Sequence, residues 1–449
     1  MRWMVMLVLI TASAALAEPE LREYETPYYT IHTDLDVEQV REAAVRMTRM
    51  AEEYARRTEG FAGRMDRRLP FYLYKRAEDY YAAGGMPGSA GMFNGHKLMS
   101  IAGSKSGGWT WHVVQHEGFH QFAKATIGPT MPIWVEEGLA EYFGQALFTG
   151  DGYVTGLIPP SRLARVKKEI EAGQFKGIEQ MMLFSRQEWN SVISHINYDQ
   201  GWSMLHFLAH GDDGRYQPLL VRFLNDVSGR RPWIDAWASH FGRDVAAFEK
   251  RWREYWLGLP SEPTADLYAQ AACATLTSHL ARAASQQQTF TTFDEFCTAA
   301  EAGQLKHHPE DWLPPSLLAE ALRQVKARCE WTLEQKGTRL VCKVDEKTTW
   351  LGSFSVANGR VRGVSVTKAV APPPKVEIKQ ETAPRPAATR PAATTAPKAD
   401  PVVAAMNLAR AYASAGNTEK AREVLRRAIA ANPGSLEAAK ATKMLKDLK

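Results

Sequence analysis

The chain is poor in cysteine, with four among 449 residues, and poor in long apolar runs. Cys273, Cys297, Cys329 and Cys342 form no C-x-x-C pair, which disfavours metal binding or redox catalysis and leaves structural bridges as the expectation. Past the N-terminus no stretch approaches the roughly 20 apolar residues of a spanning helix, so no stable membrane insertion is expected. Nor does one sign of charge dominate. The formal net charge is +5, and residues 371–449 alone hold 14 Lys/Arg against 7 Asp/Glu, a balance of +7 that leaves about −2 for everything before. That near-neutral remainder speaks against nucleic-acid binding. With 45% hydrophobic and 23% charged residues, the composition is that of a soluble globular chain, and the length implies two or three folded units.

Arg2, the apolar run Trp3–Ile10 and Ala15-Leu16-Ala17 before Glu18 have the form of a secretory signal peptide over residues 1–17. No cysteine follows the cleavage site, which argues against a lipid anchor. The expected location is periplasmic or extracellular, where an even cysteine count suits two disulfides. Cys329 and Cys342 flank a predicted hairpin and can staple it.

Residues 18–260 mix short strands (Tyr28–His32, Pro70–Tyr74, Lys97–Ala102) with a long amphipathic helix, Val37–Thr58, and then turn helical. The helices expected there are Trp109–Ile127, Trp134–Phe148, Pro160–Ala172, Gln200–His210, Tyr216–Leu224 and Val245–Trp256. Residues 261–370 read as a small α+β domain of three helices and four strands, with Asn358-Gly359 marking a tight hairpin turn. The Pro/Ala-rich stretch 371–399 is a linker. Residues 400–449 resume helical periodicity, and Leu408, Ala409, Tyr412, Gly416, Ala421, Leu425, Ala428 and Pro433 resemble a tetratricopeptide repeat. Such repeats normally stack in threes, so a lone one docks on its own protein, a second copy or a protein partner. The overall class is α+β.

The sharpest local signal is His116-Glu117-Gly118-Phe119-His120. Histidines four apart on a helix share a face and can share one metal, and the intervening glutamate can take a proton from water. A bound metal lowers the pKa of that water to about 7. Gly128-Pro129 stops the helix. Trp134-Val135-Glu136-Glu137-Gly138-Leu139-Ala140-Glu141-Tyr142 follows, offering a carboxylate as third ligand of a zinc site with one open position.

This H-E-x-x-H…W-x-x-E-G-x-A-x-Y string resembles the gluzincin class of zinc metallopeptidases and, with its mixed N-terminal region, exported bacterial peptidase-like families of unknown function. The resemblance implies a thermolysin-like catalytic domain over about residues 24–257, one Zn2+ on His116, His120 and Glu137, and Glu117 as catalytic base. Glu136 is expected on a different face. Glu141, four residues past Glu137, suits a supporting role behind a ligand histidine, as does His112, one turn before His116. Similar enzymes stabilise the oxyanion with a tyrosine or histidine well past the third ligand. Tyr198 is the first candidate here, with His195 and His210 as rivals. Related aminopeptidases carry G-x-M-E-N, whose glutamate holds a free amine; Gly84-Gly85-Met86-Pro87-Gly88 has Pro87 in that place. Endopeptidase action on a peptide or protein substrate is therefore expected, with Lys97–Ala102 as an edge strand pairing with it. The competing readings are a peptidase-like scaffold without turnover and a zinc hydrolase of a non-peptide bond.

Overall fold

The computed structural model describes residues 20–102, 107–192, 194–369, 402, 405, 406, 409, 418–431 and 436–447. The expected signal peptide, residues 1–17, and the expected linker, residues 371–399, lie outside the described residues.

Five strands open the chain: β1 (Arg22–Glu25), β2 (Tyr29–Thr33), β3 (Leu69–Tyr74), β4 (Gly91–Phe93) and β5 (Leu98–Ile101), in the order β1-β2-β3-β5-β4. β2, β3 and β5 run parallel, and the two edge strands are antiparallel to their neighbours. Parallel neighbours need a crossover, and α1 (Val37–Thr58) supplies it between β2 and β3. Asp36 caps α1 by accepting from the Gln39 amide, and Val40, Ala43, Met47 and Ala51 turn its apolar face to the sheet. Ile31, Phe71 and Leu98 stand side by side in register, fully buried beneath it. The expected strands fall within a residue of β2, β3 and β5. The edge assignment does not hold: β5 is interior, and β4 covers it. Gly91-Met92-Phe93 is too short to show alternation, so sequence alone missed β4.

Helices fill the rest of the first unit. α3 (Gly107–Thr126), α4 (Ile133–Gly144) and α8 (His195–Gly214) form its centre, with α2 (Ala77–Ala82) beside the sheet and α5 (Pro160–Glu171), α6 (Ile178–Met182), α7 (Arg186–Ser191), α9 (Gln217–Ser228), α10 (Trp233–His240) and α11 (Val245–Gly258) around them. Trp134, Trp189, Trp202, Trp252 and Trp256 are fully buried in this core. Burying a large apolar side chain stabilises by roughly 1.5–3 kcal/mol, so these rings anchor the helical half. α4 stops at Gly144, not at Phe148. Gln115 Nε2 of α3 donates to the carbonyls of Phe143 (3.0 Å) and Ala146 (3.1 Å), capping the helix end from a neighbour. The chain then turns into the short hairpin β6 (Leu147–Phe148) and β7 (Tyr153–Val154).

The second unit packs α12 (Ala265–Ser285), α13 (Phe293–Glu301) and α14 (Pro315–Arg328) against an antiparallel sheet of β8 (Glu330–Glu334), β9 (Arg339–Lys343), β10 (Thr349–Ala357) and β11 (Arg360–Lys368). Asn358 and Gly359 both take positive φ, the two-residue turn that an Asn-Gly pair favours. Arg282 of α12 meets Asp151 of the β6–β7 turn at 2.8 Å, and Leu313 and Leu317 join the first unit's core. The expected Cys329–Cys342 staple is not formed: the two are thiols that hydrogen-bond each other. Cys273 and Cys342 are buried in the second unit's core and pack there as small apolar side chains, with Cys297 and Cys329 against them. Burial pushes the Cys273 thiol up to about 12. In the C-terminal segment, Val402, Met406 and Ala409 pack with Ala421 and Leu425 of helix Thr418–Ala431 and Ala441 of helix Leu436–Asp447. Among the described residues no helix is long and apolar enough to cross a membrane.

Candidate metal centre

α3 and α4 lie antiparallel, and their contacts step along both helices. His112 sits on Gly144, His116 faces Glu141, and His120 faces Glu136. A Cβ at Gly144 would come within 2.9 Å of the His112 ring, so glycine is required for that approach. Midway, three donor atoms converge. His116 Nε2 lies 3.2 Å from His120 Nε2, and each is 3.4 Å from Glu137 Oε2. Among the described residues this is the one group of three or more metal-ligating side chains whose donors meet. A tetrahedral zinc with bonds of about 2.0–2.1 Å separates its ligand atoms by about 3.3 Å. The triangle therefore has the dimensions such an ion requires.

The carboxylates behind the triangle point the same way. His116 Nδ1 is 3.2 Å from Glu141 Oε1, and His120 Nδ1 is 3.1 Å from Glu136 Oε1. A proton on each Nδ1, shared with its carboxylate, leaves the Nε2 lone pairs facing one another and Glu137. Glu137 Oε2 is buried without a hydrogen-bond partner. Two lone pairs and a carboxylate oxygen at such distances need a cation or protons between them. The residues fit a zinc ion.

In the metal-free chain, protons fill that need. Burial works to lower the His116 imidazolium, but the facing Glu137 and Glu141 carboxylates outweigh it and raise its pKa to about 9. Burial likewise opposes His120, yet the Glu137 charge and the Glu136 hydrogen bond hold it well above the ordinary histidine range. Burial raises Glu137, and the two imidazolium charges reverse this and bring it to about 2. Glu141 also resists burial, because the Arg162 charge and His116 keep it well below the usual carboxylate range.

The expected supporting residues take distinct places. Glu141 backs His116, and His112 lies 3.9 Å from Glu141 with burial lowering its pKa. Glu136 corrects the expectation that it faces elsewhere: it backs His120 and is itself clasped by Arg186. The sequence reading also missed Arg162, whose guanidinium reaches Glu141. Nothing local to positions 162 or 186 signals these roles.

Glu117 is half-buried beside the triangle, and its Oε2 accepts the Phe93 amide of β4 at 2.8 Å. Tyr198, in the first turn of α8 behind the Ser194 cap, has its ring 6.0 Å from that of His116. Burial, then the Glu137 and Glu117 charges, raise its phenol pKa. The rivals are elsewhere. His195 is 71% exposed beside Glu169, and His210 hydrogen-bonds Tyr142 at 2.9 Å in the core.

A model of the family described as "Protein of unknown function (DUF1570)" matches residues 111–234, which take in most of α3 and all of α4 and α8, with His116, Glu117, His120, Glu137 and Tyr198. No curated protein matches the chain. A tetratricopeptide-repeat model matches residues 402–442, in agreement with the sequence reading of that segment.

Proposed function

We propose that the chain is an exported, zinc-dependent peptidase that cuts peptide bonds within extended polypeptides. The triangle of His116, His120 and Glu137, sized for a tetrahedral ion, carries the reading. These three residues would hold a zinc ion, which would supply a Lewis acid for the scissile carbonyl and for an attacking water. Glu117, fixed by the Phe93 amide, accepts the proton of the attacking water and returns it to the leaving amine. Tyr198 stays protonated and donates a hydrogen bond to the developing oxyanion. The substrate adds as a strand to the outer edge of β4. Pro87, standing where an aminopeptidase would keep its amine-binding glutamate, favours internal cleavage. The basic-apolar-small pattern of residues 1–17 supports export.

The test is zinc content and hydrolysis of an unfolded protein for the wild-type chain, Glu137→Ala and Glu117→Gln. One zinc per wild-type chain, most of it lost in Glu137→Ala, is expected. Glu117→Gln should keep zinc and lose about 100-fold or more in turnover. A wild-type chain that takes up no zinc would sink the reading. The tetratricopeptide repeat suggests protein interaction and favours a second reading, a metal-bearing scaffold. In that case wild type and Glu117→Gln both hold zinc and neither turns over.

A further inference from the structure

We infer that Arg162 is a positioning residue that locks the His116 side of the centre and ties it to Tyr198; this rests on the metal-site reading above. Arg162 stands in the first turn of α5, 4% exposed, with its guanidinium over the Trp202 ring at 4.2 Å. It bonds Glu141, whose other oxygen faces His116 Nδ1. Its Nε meets Asp199 Oδ1 at 2.7 Å, and its Nη2 donates to the Tyr198 carbonyl at 3.4 Å. One rigid, permanently charged fork therefore joins α4, α5 and α8 at the points from which they present Glu141 and Tyr198.

The geometry gives Arg162 three tasks. It sets a fixed positive charge directly against the Glu141 carboxylate within a buried site. It fixes which Glu141 oxygen faces the ring, and so the direction of the His116 Nε2 lone pair. Through Asp199 and the Tyr198 carbonyl it holds the first turn of α8 at a set distance from that ring. Arg186 does only the first of these for Glu136, from a position 55% exposed to solvent. Arg165 also pairs with Asp199, at 2.9 Å and 48% exposed, but has no hold on Glu141. The two sides of the centre are therefore unequal, with the His116 side braced from within.

Zinc affinity of the full chain, measured by competition with a chromophoric chelator, tests this alongside thermal melts of the metal-free protein. Arg162→Ala should bind zinc about 10- to 100-fold more weakly, as Glu141→Gln should. The double variant should fall within about threefold of the weaker single one, because both remove the same support. Arg162→Lys keeps the charge and loses the fork. It should fold even if Arg162→Ala does not, and weaken zinc by about 3- to 10-fold. Arg165→Ala should stay within about twofold of wild type. Wild-type zinc affinity in Arg162→Lys and Arg162→Ala, or losses that add in the double variant, would overturn the assignment and leave the metal reading intact. Absence of zinc from the wild-type chain would instead overturn the metal reading itself.

Discussion

Gly138, next to the candidate ligand Glu137 on α4, is where the centre is most sensitive to a single methyl group. A Cβ at this position would stand 2.7 Å from the Gly201 carbonyl oxygen and 3.1 Å from Leu205 Cβ, both on α8. Carbon–oxygen contacts settle near 3.3 Å, so Gly138→Ala must drive α4 and α8 apart by about 0.6 Å. Backbone on both sides makes that shift expensive. Overpacking of this kind costs about 1–3 kcal/mol, and alanine's better helix propensity returns at most about 1 kcal/mol. The net loss should be about 1–2 kcal/mol, or several degrees in the melting temperature of the metal-free first unit. The same displacement carries Glu137 away from two ring nitrogens now 3.4 Å distant, so zinc affinity should fall about tenfold or more. Gly201→Ala offers a graded comparison, since its Cβ would meet the Trp134 carbonyl at a softer 3.3 Å and should cost less. Circular-dichroism melts in chelator, followed by zinc competition, read both effects. A Gly138→Ala chain that melts at or above wild type and binds zinc as well would refute the claim that this close helix approach sets the site.

Zinc binding should weaken as pH falls. The metal must displace the proton that His116 holds up to about pH 9 and the one His120 holds well above its ordinary range, so affinity should drop by up to about 100-fold per pH unit between 8 and 6; a flat profile would contradict protonation of the metal-free triangle. Stability of the metal-free fold should also decline in acid through three buried histidines. Burial lowers His206 and His279 to about 3 and His210 to about 4, so between pH 6.5 and 4 the unfolded chain binds protons that the folded one refuses. Each such group removes up to about 1.4 kcal/mol per pH unit across that window. His206→Gln should flatten the slope of stability against pH measured by urea unfolding there.

The parts of this molecule legible from sequence were those governed by one element at a time. α1 follows from its apolar stripe, and its Val37–Thr58 limits agree with the periodicity. The His116–His120 pair follows from the pitch of a single helix, and the Asn358-Gly359 turn from the φ values only such residues tolerate readily. What escaped needed two elements at once. The end of α4 is set by Gln115 from α3, so no residue within 133–148 announces it. The edge strand β4 has three residues and exists because β5 offers it partners.

Glu136 shows the same limit within the centre. Successive residues of a helix diverge by about 100°, so a wheel drawn for α4 lets Glu137 face the histidines and turns Glu136 away. That wheel treats each histidine as a point. An imidazole has two nitrogens on different edges of the ring, and a ligand that presents Nε2 to one carboxylate presents Nδ1 in another direction. Glu137 meets His120 at Nε2 while Glu136 meets the same ring at Nδ1, so the divergence that seemed to exclude Glu136 is what gives it a partner. His116 solves the problem along the helix instead, with Glu137 at Nε2 and Glu141, one turn on, at Nδ1. Two histidines on one helix thus draw on three carboxylates of the next. The E-E-G-x-x-E spacing of α4 matches the two edges of each ring, one carboxylate for each Nδ1 and one shared by both Nε2 atoms.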